Sequence, residues 1–164
     1  MWNGKIRRKI AFAAVAFALF ASGCNNKAPM LQFQKDPSRD RDWVLTSEGV
    51  TVLDLNSRRE VAQIRLPDWH WAGAPNGCVP ALALGPNGEA LVSSDVLPVL
   101  WRIDPDTLAV SRHELTLEDN AGMDVGFSAL SYAAKPGAYF AVACGHGSVW
   151  RVDSSLKKGR KVSF

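Results

Sequence analysis

Short runs of alternating apolar and polar residues fill most of the chain, and turn-forming residues cut them at regular intervals. The alternation is plainest at residues 61–66. There Val61, Gln63 and Arg65 alternate with Ala62, Ile64 and Leu66, the pattern of a half-buried strand. Upstream, Trp43-Val44-Leu45-Thr46 and residues 50–55 predict two strands joined by a hairpin at Glu48-Gly49, with a turn at Asn56-Ser57-Arg58-Arg59. A second unit predicts strands at 81–84, 90–93, 99–103 and 108–115. Its turns are Gly85-Pro86-Asn87-Gly88 and Asp104-Pro105-Asp106-Thr107. A third predicts strands at 129–132, 139–144 and 148–152, and a last one beginning at Arg160.

The units share more than strand character. Leu100-Trp101-Arg102-Ile103-Asp104 returns as Val149-Trp150-Arg151-Val152-Asp153 and, more faintly, as Val50-Thr51-Val52-Leu53-Asp54-Leu55. The closing aspartates lie 50 and 49 positions apart, and Gly88 and Gly137 are likewise 49 apart. Four short antiparallel strands in a repeat of this length make one blade of a propeller. Pro86-Asn87-Gly88, Leu91-Val92-Ser93 and Trp101-Arg102-Ile103-Asp104-Pro105 resemble the YVTN-type and, more loosely, the WD40-like β-propeller repeats. The resemblance covers residues 43–164; the period is too long for WD40, and Gly145-His146 stands too close to Trp150.

The resemblance implies an all-β partial propeller of about two and a half blades, the first without its innermost strand, whereas closed propellers use about four to eight. Open sheet edges invite pairing with another chain. Three arrangements fit this count: a truncated or split propeller, an assembly completed by further subunits, or a small open stack of sheets.

Ahead of the repeats, Lys5, Arg7, Arg8 and Lys9 precede an apolar run over residues 10–20 and then Ala21-Ser22-Gly23-Cys24. A basic stretch, a short apolar run and small residues form a secretory leader. Cys24 after those small residues makes residues 1–23 resemble a bacterial lipoprotein signal peptide. That resemblance implies a lipid on Cys24, and Asn25 after it implies the outer membrane, facing the periplasm. Residues 24–42, polar and without periodicity, read as a flexible tether to a repeat domain at 43–164.

Removing the leader takes four basic residues from a chain of formal charge +3, leaving −1. That balance offers no electrostatic footprint for nucleic acid. Cys78 and Cys144 remain, either paired by a disulfide in an oxidising compartment or buried as two thiols.

Candidate chemistry lies in the loops that a propeller gathers at one end. Trp69-His70-Trp71 offers two stiff aromatic surfaces around a titratable nitrogen, the composition of a binding hot spot; packing of one or both indoles into the core is the competing reading. Asp95, Asp124 and His146 belong to the same loop set. No Gly-x-Ser-x-Gly, His-Glu-x-x-His, phosphate loop or Cys-x-x-Cys is present, and no cofactor is called for. The leading expectation is an envelope protein that binds a protein or an envelope component through Trp69, His70, Trp71, Asp95, Asp124 and His146. The alternatives are a metal-assisted, lactonase-like hydrolase using His70, Asp95, Asp124 and His146, or a truncated propeller without independent function.

Overall fold

The computed structural model describes residues 28–71, 73, 77–118 and 126–163. They form three sheets, each built on four consecutive antiparallel strands. Blade 1 contains β1 (Met30–Asp36), β2 (Arg41–Thr46), β3 (Gly49–Asp54) and β4 (Glu60–Ile64). Blade 2 contains β5 (Leu82–Leu84), β6 (Ala90–Ser93), β7 (Val99–Ile103) and β8 (Val110–Glu114). A short β9 (Thr116–Leu117) leads on to blade 3, built from β10 (Ala129–Ala133), β11 (Ala138–Ala143), β12 (Ser148–Val152) and β13 (Lys158–Lys161). The inner strands β1, β5 and β10 lie side by side, with β5 in the middle. This is the all-β, partial-propeller arrangement that the repeat predicts.

Blade 1 corrects the sequence reading. Residues 30–36, assigned above to the tether, form the inner strand said to be missing, and the blade has all four strands. β1 pairs along its length with β2, and two of its side chains fix it to the next blade. Gln32 accepts a hydrogen bond from the Leu82 N–H (2.9 Å), and Gln34 donates to the Leu82 carbonyl (3.2 Å). Its polar side chains satisfy the edge of the next blade, a role that hydrophobic periodicity cannot signal. Downstream, β9 runs parallel to β13 and extends the outer edge of blade 3 to a fifth strand. Gly159 permits that approach, because a Cβ there would stand 2.8 Å from the Leu117 side chain.

The repeated aspartates are turn-formers. Asp54 Oδ1 accepts from the N–H groups of Asn56 (3.1 Å) and Ser57 (2.6 Å). Asp104 does the same for Asp106 (3.0 Å) and Thr107 (2.8 Å). Asp153 accepts from Lys157 (2.9 Å) and Lys158 (3.1 Å). Each turn contains one left-handed residue: Arg58, Leu108 and Leu156 have φ of 59°, 58° and 56°. An aspartate bonding its own backbone a few residues on is the Asx device that fixes a tight turn. The same bonds set the start of the outer strand, which is why β8 and β13 begin at 110 and 158 rather than at 108 and 160.

Side chains alternate between two interblade cores. Trp43, Leu45, Val50 and Val52 of blade 1 meet Ala90, Val92, Val99, Trp101 and Ile103 of blade 2. The opposite face of blade 2 carries Leu91 and Leu100 against Tyr139, Ala141, Trp150 and Val152 of blade 3. Trp43 Nε1 is buried in these seams without an acceptor among the described residues, whereas two other polar groups have partners. Trp101 Nε1 donates to the Pro67 carbonyl (2.8 Å), and the Tyr139 hydroxyl donates to Glu89 (3.1 Å). Burial first, and then the neighbouring Glu89 carboxylate, push the Tyr139 phenol well above its ordinary value of 10.0, so it stays a donor.

Trp150 is fully buried, so Trp150→Ala is expected to cost about 3–5 kcal/mol in denaturant titration of the oxidised protein. The turn aspartates predict an acid limb. Hydrogen bonds from Ser57 and Thr107 hold Asp54 and Asp104 below the ordinary 3.8. For Asp153, burial acts the other way but is outweighed by Ser155 and the N–H groups of Lys158 and Lys157, again leaving it below 3.8. A carboxylate depressed in the folded state stabilises fully above its unfolded pKa, and that stabilisation disappears as pH falls through the folded one. The melting temperature should therefore fall below about pH 4. It should fall less steeply in D54N/D104N/D153N, where the amide oxygens keep the turns and titration is gone.

Candidate loop-face binding site

One end of the sheets carries the β2–β3, β6–β7 and β11–β12 loops together with the long connections between blades. Contacts draw these segments together. Trp69 in the β4–β5 connection donates through Nε1 to the carbonyl of Ser47 in the β2–β3 loop (3.0 Å). Phe127, entering blade 3, donates its N–H to the Ser94 carbonyl in the β6–β7 loop (2.7 Å). Cys78, just before β5, is joined by a disulfide to Cys144 in the β11–β12 loop, with Cα atoms 5.9 Å apart.

The β6–β7 loop is shaped by two buried serines. Ser93 Oγ donates to the Phe127 carbonyl (2.6 Å) and accepts from the Ala81 N–H (2.9 Å). Ser94 Oγ accepts from the N–H groups of Val96 (3.2 Å) and Leu97 (3.1 Å), a side-chain turn that lifts those residues outward. Val96 and Leu97 are each 44% exposed. Beneath them Gly126 packs on the Asp95 main chain so closely that no Cβ fits. Asp95 is half-buried, and burial raises its carboxyl above the ordinary value.

The structure sorts the residues singled out by sequence. Trp69 is half-buried in the seam between blades 1 and 2, edge-on to Trp101 with centroids 5.3 Å apart, so it packs the core. His70 is exposed, and Trp71 is half-buried, its indole nitrogen without an acceptor among the described residues. His146 is exposed at the tip of the β11–β12 loop. Cys24 and Asp124 lie outside the described residues. Among the described residues no three His, Cys, Asp or Glu side chains group as a metal site. Val96 and Leu97 were missed by sequence reasoning. Their signal, an apolar pair between Asp95 and Pro98 in a loop, is identical to that of an ordinary strand start.

The face therefore offers exposed imidazoles and an exposed apolar pair on loops tied to three blades. Two cavities lie elsewhere, on the outward faces of blades 1 and 3.

No family model and no curated protein matches the sequence. Solved structures do match in shape. Virginiamycin B lyase from Staphylococcus aureus is similar at a TM-score of 0.63 and 12% identity, over 86% of this chain and 43% of that one. The fold is that of a partial β-propeller. A second similar structure is the dihydro-heme d1 dehydrogenase NirN, at 0.59 and 18% identity, over 84% of this chain and 28% of that one. A third is hydrazine synthase of Kuenenia stuttgartiensis, at 0.55 and 12%, over 87% and 38%. The chain thus spans less than half the length of each of these three proteins. Their activities differ from one another, and at these identities the likeness concerns the fold alone.

The disulfide closes a loop with a sequence separation of 66, for which chain entropy predicts about 4 kcal/mol of stabilisation. C78S/C144S, or the wild type in dithiothreitol, is expected to lose up to that amount in guanidinium denaturation.

Proposed function

We propose that the chain is a lipid-anchored envelope protein, held at the outer membrane through Cys24 and facing the periplasm, which binds a protein or envelope component through its loop face. The observation that supports this most is the Cys78–Cys144 disulfide. Disulfides persist in oxidising compartments such as the bacterial periplasm, which agrees with a secretory leader. The same bond ties the connection bearing His70 and Trp71 to the loop bearing His146. It thereby pre-organises a face that also exposes Val96 and Leu97. No helix among the described residues is long and apolar enough to cross a membrane.

The test uses intact cells. Photo-crosslinking residues placed singly at His70, Leu97 and His146 are expected to give a discrete adduct. The same residue at Asn87 or Thr107, exposed at the opposite end, is expected to give none. In parallel, Cys24→Ser should abolish fatty-acid labelling and move the protein out of the membrane fraction. Equal adducts from both ends would remove the loop-face reading, and labelling that survives Cys24→Ser would remove the anchor.

A further inference from the structure

Blade 2 is covered on both sides, whereas blades 1 and 3 each turn one sheet face outward. On blade 1 the outward face holds Val44, Thr51 and Leu53, with Met30 63% exposed and Phe33 52% exposed beside them. Met30, Val44, Thr51 and Leu53 border an open cavity of about 520 Å³ that Glu48, Arg58 and Glu60 also line. On blade 3 the outward face carries Phe140, Val142 and Val149, all half-buried, in alternation with the inward Tyr139, Ala141 and Trp150. Arg151 extends from the same outward face and makes no hydrogen bond or ion pair among the described residues.

The internal repeat states how such faces meet. Strand registers align Phe140–Arg151–Arg160 of blade 3 with Leu91–Arg102–Ser111 of blade 2. They align Asp42–Leu53–Glu60 of blade 1 with Tyr139–Val152–Gly159 of blade 3. In the seam between blades 2 and 3, Arg102 reaches Glu89 (3.9 Å), and Glu89 accepts from the Tyr139 hydroxyl of the following blade. A blade packed on blade 3 in the same way would therefore turn its Asp42-equivalent row toward Arg151.

Blade 1 has the matching chemistry. Asp42 is 3% exposed. One carboxylate oxygen pairs with Arg58, and the other, Oδ1, is buried without a partner among the described residues. An orphaned buried carboxylate oxygen is costly, and a cation brought over it would remove that cost. Lys35 stands opposite Asp42 at the inner end of this row, and Glu60 adds a second carboxylate at its exposed outer edge.

We propose that a second copy of this chain seats the outward face of its blade 3 on the outward face of blade 1, with Arg151 of one copy facing Asp42 and Glu60 of the other. The contact is heterologous, an apolar face bearing Arg151 against an apolar face bearing Asp42 and Glu60, and such contacts extend unless they close. Two of them between two copies give a ring of six blades, within the range of about four to eight that closed propellers use. The apolar rows would then be covered as the inner seams already are.

The test is the native mass of the full chain extracted in mild non-ionic detergent, with the disulfide intact. A dimer is expected. Arg151→Glu and Glu60→Arg, both at exposed positions, should each halve the mass while leaving the circular dichroism spectrum unchanged. The double variant R151E/E60R should restore the dimer, which no general loss of stability would do. A wild-type monomer would overturn the proposal. So would an assembly of any size that Arg151→Glu leaves intact.

Discussion

The fold depends on burying alternate side chains between consecutive sheets. A four-stranded sheet of this size has no stability alone, because each of its faces presents apolar side chains to water. In blade 2 the alternation is used completely. Ala90, Val92, Trp101 and Ile103 fill the seam with blade 1, and Leu91 and Leu100 fill the seam with blade 3. Everything else positions these layers. The aspartate turns set strand register, the glutamines of β1 lock its edge to β5, and the Tyr139–Glu89 hydrogen bond pins two blades at a buried point.

The seams also explain where function has room. Side chains inside them are committed to packing, as Trp69, Trp101 and Trp150 are. Recognition is left to the ends of the sheets, where loops run over a rigid base, and to the outward faces of the two flanking blades. The loop end is tied by a disulfide and by serine-directed turns, so its exposed groups are held with little conformational freedom. The flanking faces are of a different kind. Their composition is that of a seam with one side missing, apolar rows edged by charged side chains.

Similar shapes in a lyase, a dehydrogenase and a synthase underline how little a propeller commits its sequence chemically. A blade needs branched and aromatic residues at alternate positions and an aspartate where the outer hairpin turns. Loop residues are unconstrained by those needs.

The repeat was legible in the sequence because it records local physics. A strand alternates with period two, and an aspartate that caps its own turn must stand a fixed distance after the strand, so Asp54, Asp104 and Asp153 mark the units without any tertiary information. The class, the approximate blade length and the loop set at one end follow from that. Three features were decided by the tertiary structure alone. The strand Met30–Asp36 pairs with β2 and is fixed to the next blade by Gln32 and Gln34, which bond to Leu82, some fifty residues away. Trp69 belongs to a core because Trp101 and Ser47 come to it, whereas its neighbour His70 faces water, although the sequence presents the two alike. Cys78 and Cys144 pair because two blades set their Cα atoms 5.9 Å apart. Local patterns carry propensity and period; which distant group satisfies a polar side chain is settled only when the sheets are stacked.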